Sequence, residues 1–120
     1  PIVVHGDGTQ RRCFADVRDV VGSLPVLLRT PKSRGLPVNI GHDEPISIFE
    51  LAELVRSVLQ SSSPIQITPY HQAWGSGFQD LQERVPDLSR ARELVQLQPS
   101  RSIAETIRDL ADSIRMETAL

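Results

Sequence analysis

Apolar positions along the chain switch between two periods, and the switches outline its elements. Ile2-Val3-Val4 is a short β-type run, stopped by Gly6-Asp7-Gly8-Thr9, a turn composition. Arg12-Cys13-Phe14-Ala15 fits a second short extended piece. Asp16 then offers an N-cap ahead of Val17, Val20, Val21, Leu24, Leu27 and Leu28, which recur at helical spacing. Pro25 lies inside that pattern and is expected to kink or shorten the helix, because it has no N–H to donate. Lys32-Ser33-Arg34-Gly35 reads as loop, and Pro37-Val38-Asn39-Ile40 as a strand.

The sharpest local signal follows. Ser47-Ile48-Phe49-Glu50 is a capping box, with Ile46 and Leu51 at the hydrophobic-staple positions. The stripe Ile48, Leu51, Ala52, Val55, Val58, Leu59 continues it as an amphipathic helix. Ser61-Ser62-Ser63-Pro64 ends that helix, and Ile65-Gln66-Ile67-Thr68 alternates as a half-buried strand. Residues 69–86 read as a long loop holding Trp74, Gly75, Gly77 and Phe78, and such loops are mobile or functional. Ser89 is expected to cap a short helix through Val95, with Pro99 closing the turn. A second capping box, Ser102-Ile103-Ala104-Glu105, opens the last helix. Four helical segments and three or four very short strands are too little for an independent sheet. The strands belong to a larger sheet or pair as small ribbons. The class is α/β (α+β-like by itself), a small helix-dominated lobe.

Composition narrows the function. A chain of 120 residues, 39% apolar and 23% charged, has the size of one domain. No apolar run approaches the ~20 residues of a membrane span. Thirteen Lys+Arg against fifteen Asp+Glu, a net charge of −2, give no excess positive field for nucleic acid. Cys13 is the single cysteine, so an internal disulfide and a four-cysteine zinc site are excluded. These features point to a cytoplasmic protein. Pro1 leads straight into a strand-like run, and the chain is expected to be excised from a longer protein.

Several constellations carry chemistry. Gly6-Asp7-Gly8-Thr9-Gln10-Arg11-Arg12 joins a Gly-containing turn to two guanidinium groups, suited to a phosphate. It lacks the third glycine of a dinucleotide fingerprint and the Gly-Lys-Ser/Thr of a Walker loop, and a surface turn with solvated arginines fits it as well. Arg84 precedes Val85-Pro86, on backbone that the proline biases toward extension. It is placed either to clamp an anion or to pair on the surface with Glu83 or Asp87. His5, His42 and His71 are too scattered for convergent metal ligands. Trp74 and Phe78 suit either a base or sugar pocket, or the anchoring of their own loop.

Taken in order, four blocks resemble the extended short-chain dehydrogenase/reductases. Gly6-Asp7-Gly8-Thr9-Gln10-Arg11-Arg12-Cys13-Phe14 with Asp16-Val17-Arg18-Asp19-Val20 is similar to the segment opening that family's substrate lobe. Val38-Asn39-Ile40-Gly41 with Ile46-Ser47-Ile48-Phe49-Glu50-Leu51-Ala52 resembles its "N-I-G … S-I-x-E-L-A" stretch. Gly77-Phe78-Gln79-Asp80 and Arg84-Val85-Pro86-Asp87-Leu88-Ser89-Arg90-Ala91 resemble its "G-F-x-D … R-x-P-D-x-S-K-A" stretch. The nearest flavour is the NAD-dependent nucleotide-sugar epimerases, dehydratases and decarboxylases, of UDP-sugar epimerase or UDP-glucuronate decarboxylase type.

The resemblance implies that residues 1–120 form the C-terminal substrate-binding lobe, without the Rossmann domain. Gln10 and Arg12 would contact the nucleotide diphosphate, and Arg84 would reach the diphosphate or the sugar. In decarboxylases of this type the arginine matching Arg84 is assigned as proton donor. Phe78 stands where some relatives place a substrate-contacting Tyr, so a phenol hydrogen bond is lost there. The family's Gly-rich turn and its catalytic Tyr-x-x-x-Lys lie N-terminal to this region, some 180–200 residues of chain. Here Tyr70 is the sole Tyr and Lys32 the sole Lys, with Trp74 four residues after Tyr70. The lobe alone is therefore expected to be inactive and to hold no cofactor and no metal, with NAD bound by a full-length parent. Its partners would be a nucleotide-sugar, the N-terminal Rossmann domain and, for the isolated lobe, a second copy of itself. Val95-Gln96-Leu97-Gln98-Pro99 replaces the family's Leu-Gly-Trp-x-Pro, which implies a repacked corner. The rival reading is a standalone protein-interaction module whose helices present a groove.

Overall fold

The structure, a computed structural model, describes residues 1–96 and 99–118. The corner at Leu97 and Gln98 lies outside the described residues. Strand β1 (Ile2–His5) leads through the Gly6–Thr9 turn to β2 (Arg11–Cys13), followed by helix α1 (Val17–Arg29) and a 3-10 turn at Pro31–Ser33. Next come β3 (Pro45–Ser47), α2 (Ile48–Val58), β4 (Ile65–Thr68), the single-turn α3 (Tyr70–Ala73) and β5 (Glu83–Arg84). Helices α4 (Ser89–Val95) and α5 (Ile103–Thr118) complete the order. The strands pair as two ribbons, β1 parallel to β4 and a three-stranded β3-β2-β5. The molecule is thus a small, helix-dominated α/β domain with few short strands and no closed or Rossmann-like sheet among the described residues.

Side chains set most of the helix starts. Asp16 accepts from the Arg18 amide at the head of α1. Both capping boxes form. Ser47 and Glu50 exchange bonds of 2.9 and 3.1 Å at α2, and Ser102 and Glu105 exchange bonds of 2.8 and 3.3 Å at α5. Ser89, in contrast, does not cap α4. It is the first helical residue, and Asp87 accepts from both its amide and its hydroxyl.

Two strand-and-helix expectations are corrected. Pro25 does not shorten α1, which runs four residues beyond it. The proline forfeits one backbone bond, to the Val21 carbonyl, and the flanking turns hold. Pro37–Ile40 is not a strand. Its polar groups turn to α4 instead, as the Arg90 guanidinium donates to the Pro37 carbonyl and the Asn39 amide donates to the Asp87 carbonyl. The strand of this region is Pro45–Ser47, paired antiparallel with β2. Likewise residues 69–86 are not one loop, since they contain α3 and β5.

The core is thin. Val4, Ala52, Leu88 and Ala91 are almost wholly withdrawn from water. α2 packs between β1 and α5, and α1 packs on α4. The radius of gyration is 17.4 Å, over extents of 49 × 42 × 23 Å, against roughly 13–14 Å for a compact domain of this length. Such a flat shape leaves apolar surface open. Val17, Val21, Leu24 and Leu28 form one exposed stripe along α1, at the i, i+4, i+7, i+11 spacing of a single helix face. No described helix is long and apolar enough to cross a membrane.

Candidate functional site

The site is built on β2, the middle strand of the three-stranded ribbon. β2 runs antiparallel to β3 on one side and parallel to β5 on the other, with Arg11 opposite Glu83 and Arg12 opposite Arg84. Residues in register share a face of the sheet and successive residues alternate faces. Arg11 and Glu83 therefore pair on one face, 3.4 Å apart, while Arg12 and Arg84 come together on the other. Two guanidinium groups separated by 72 positions in the sequence become neighbours because a two-residue strand docks beside β2.

Asp80 answers them both. Its carboxylate lies 2.7 Å from Arg12 and 4.0 Å from Arg84. The Leu81 amide donates to it at 2.8 Å, and the Tyr70 hydroxyl at 3.4 Å. The two arginines are held very differently. Arg12 also donates to the carbonyls of Arg11 and Leu81 at 2.7 and 2.8 Å, and its side chain is only 18% exposed. Among the described residues Arg84 has only the long contact to Asp80, with its side chain 63% exposed.

A cavity of roughly 660 Å³ opens beside this pair. Arg12, Arg84, Asn39, Gly41, His42 and Pro86 line it, with Cys13 in its wall. Burial pushes the Cys13 thiol up, aided by the nearby Asp43 and Glu83 carboxylates. The thiol thus stays protonated at neutral pH and is a poor nucleophile. On the other side of Arg12 a second cavity, roughly 450 Å³, is lined by His5, Gln10, Trp74, Phe78, Tyr70 and Asp80. Its walls are aromatic. Trp74 meets His5 edge-on at 5.5 Å and lies 5.9 Å from Phe78, which is 5.2 Å from Tyr70. Gly6 makes this possible. It has φ +83°, and a Cβ there would stand 2.6 Å from the Tyr70 ring. Burial, and then the Asp80 charge, raise the Tyr70 phenol above its ordinary value.

The residues singled out in the sequence thus divide between two adjoining cavities. Arg12 and Arg84 are brought together, and Arg12 borders both spaces. Gln10 and Phe78 share the aromatic cavity with Arg12 but do not meet Arg84. Gln10 is buried, donates to the His5 carbonyl at 2.8 Å, and leaves its own side-chain oxygen without a partner. Sequence reasoning passed over Asp80, Tyr70 and Asn39. Asp80 carried a usable signal, an acid four residues before Arg84. Among the described residues no group of three His, Cys, Asp or Glu gathers as a metal site. Nor do the described residues suit a dinucleotide. The Gly6–Gly8 turn runs into strand β2, whereas in the dinucleotide fingerprint the glycine turn opens a helix whose N-terminus faces the pyrophosphate.

No family model matches the chain. It is 32% identical over 108 residues to a UDP-N-acetyl-alpha-D-glucosaminuronate decarboxylase of Bacillus cytotoxicus, covering 90% of this chain and 33% of that protein. It is 31% identical over 115 residues to UDP-glucuronic acid decarboxylase 1 of Arabidopsis thaliana, covering 96% of this chain and 25% of that one. Among solved structures, UDP-glucuronic acid 4-epimerase from Bacillus cereus, in complex with UDP-glucuronic acid and NAD, superposes with a TM-score of 0.81 at 25% identity. That match covers 97% of this chain and 35% of the other. The chain spans a third or less of the length of these curated relatives. Across nearly its whole length it is homologous to the NAD-dependent nucleotide-sugar epimerase/decarboxylase family.

Proposed function

We propose that residues 1–120 are the substrate-binding lobe of an NAD-dependent nucleotide-sugar epimerase, dehydratase or decarboxylase, and that they bind the nucleotide-diphosphate half of a UDP-sugar. The observation that carries this reading is the register of Arg12 against Arg84, which sets two guanidinium groups on one sheet face at the rim of a cavity. A diphosphate needs charge-assisted forks from more than one direction, and a pair of arginines on adjacent strands supplies them. Asn39 adds an amide and Gly41 close backbone access in the same cavity. The aromatic cavity across Arg12 has the ring faces that hold a base or a sugar, with Phe78 among them.

Hydride chemistry belongs to the parent's other lobe, the Rossmann domain, where NAD binds. Binding energy from the non-reacting nucleotide half positions the sugar for that chemistry. By itself this lobe performs no turnover. Calorimetric titration of the chain with UDP and with uridine tests the reading. UDP binds and uridine binds far more weakly, and Arg12→Ala and Arg84→Ala each weaken UDP by about 10- to 100-fold, the loss of a charge-assisted contact. Equal affinity for UDP and uridine overturns it.

A second reading, a protein-interaction module, is favoured by one feature, the open apolar stripe of Val17, Val21, Leu24 and Leu28 on α1. None of these four residues lines either cavity, and the two readings make separate demands on the chain.

A further inference from the structure

The arginine pair already holds an anion, and that anion belongs to the chain. Asp80 puts one carboxylate between Arg12 and Arg84, at 2.7 and 4.0 Å, reaching them from the aromatic cavity that it lines together with Arg12. We infer that Asp80 is an internal counter-ion for the two-arginine seat, one that an incoming diphosphate displaces and that thereby sets the affinity of the seat. The inference rests on the diphosphate reading above.

The charges argue for displacement over sharing. Two guanidinium groups and one carboxylate sum to a single positive charge. The diphosphate bridge of a nucleotide-sugar brings two negative charges. With Asp80 in place, three negative charges would crowd two positive ones in a space partly closed to water. With Asp80 moved aside, two meet two. Like charges held within a few ångströms are strongly disfavoured at reduced dielectric.

The neighbouring contacts permit the exchange. Arg12 keeps its shape without Asp80, because the carbonyls of Arg11 and Leu81 also hold it. Arg84 loses little, since its contact is long and its side chain faces water. The remaining ties of Asp80 are the Leu81 amide and the long bond from Tyr70, and both can pass to water. Asp80 lies in a segment outside regular structure, between α3 and β5, where a side-chain swing disturbs no helix or ladder. The exposed Arg84 is then the first contact for an arriving anion and Arg12 the second.

Calorimetry with UDP-glucose on the wild-type chain and on Asp80→Asn decides it. Removing the internal competitor tightens UDP-glucose binding by about tenfold and leaves uridine unchanged. If Asp80 serves instead to orient Arg12, the same substitution weakens binding, and weaker or equal binding overturns the inference. A measurement on the wild-type chain guards against a misfolded variant. The Leu81 amide, which donates to Asp80, exchanges faster with solvent when UDP-glucose is bound, and slower or unchanged exchange counts against displacement. The two ideas fail separately. Wild-type chain that does not distinguish UDP-glucose from uridine sinks the diphosphate reading. Wild-type chain that prefers UDP-glucose, with no gain from Asp80→Asn, sinks only the role of Asp80.

Discussion

The two arginines sit side by side yet should differ sharply in what they contribute to folding. Arg12→Ala removes three bonds from one guanidinium, to Asp80 at 2.7 Å, to the Leu81 carbonyl at 2.8 Å and to the Arg11 carbonyl at 2.7 Å. Hydrogen bonds to charged groups contribute about 1.5–3 kcal/mol each when well shielded. Here the side chain is 18% exposed and water can re-satisfy the freed carbonyls, so the three together come to about 2–3 kcal/mol. At about 4 °C per kcal/mol for a domain of this size, Tm falls by roughly 8–12 °C. Arg84→Ala removes one 4.0 Å contact from a side chain 63% exposed. Such a pair contributes about 0–0.5 kcal/mol, and Tm moves by a degree or two. Urea denaturation followed by far-UV circular dichroism measures both, with equal m-values as the control for two-state unfolding. The asymmetry follows from geometry alone, whatever the ligand. Equal destabilisation by the two substitutions, or a larger effect from Arg84, would refute the account of how Arg12 is pinned.

Three further outcomes follow from the same contacts. Asp16 is held well below its ordinary value of 3.8, chiefly by the Arg18 side chain and then by the Arg18 amide and the Thr106 hydroxyl, against a cost of burial. A carboxyl lowered on folding stabilises fully above that value and loses the contribution as pH falls below it. The stability gap between wild type and Asp16→Asn should therefore be constant near neutrality and narrow below about pH 4, a gap that stays flat to pH 2 being the contrary result. Tyr70 is the only tyrosine, so phenolate absorbance titrates it alone. Its midpoint lies above 10.0 and moves down in Asp80→Asn, though not fully, because burial is the larger cause. The α1 stripe predicts self-association of the chain at high concentration, and light scattering should show Leu24→Lys restoring the monomer. A wild-type chain that stays monomeric at millimolar concentration contradicts that prediction.

How much of this was legible in the sequence depended on the range of the interaction involved. Ser47 with Glu50 and Ser102 with Glu105 sit three residues apart, and the chemistry of a capping box is complete within that span. Both helix starts followed. Ile65–Thr68 alternates with period two and is a strand. The failures share a different cause. Pro37–Ile40 has strand composition, but its Pro37 carbonyl accepts from Arg90 and its Asn39 side chain donates to the Asp87 carbonyl, about 50 residues away, and no ladder forms. Glu83–Arg84 shows no strand signal in two residues and becomes β5 only because β2 is there to receive it. Local pattern cannot register a partner that distant. The arginine pair was within reach because the family resemblance gave roles to both Arg12 and Arg84, while Asp80 entered only as the last residue of the Gly77-Phe78-Gln79-Asp80 block, with no role attached.

The arrangement explains how a chain of net charge −2 can present a cationic seat without a basic surface. Among the described residues, Arg11 and Arg12 are each held by several partners, while Arg84 has one long contact to Asp80. Arg11 is engaged by Glu50, Glu83 and the Pro45 carbonyl, and Arg12 by Asp80 and two carbonyls. Long-range positive potential is thereby cancelled, which disfavours indiscriminate polyanions. At contact distance the cancellation fails, because a diphosphate entering the cavity can replace Asp80 where a diffuse polyanion outside cannot. The placement of β5 governs all of it. Leu88, almost fully buried just after Arg84-Val85-Pro86-Asp87, and Ala91 on α4 fix the chain that carries Arg84. Loosening that anchor, as Leu88→Ala would at a cost of about 2–5 kcal/mol, removes Arg84 from Arg12 without touching either side chain. The seat is a property of the packing behind it as much as of the two guanidinium groups that face the ligand.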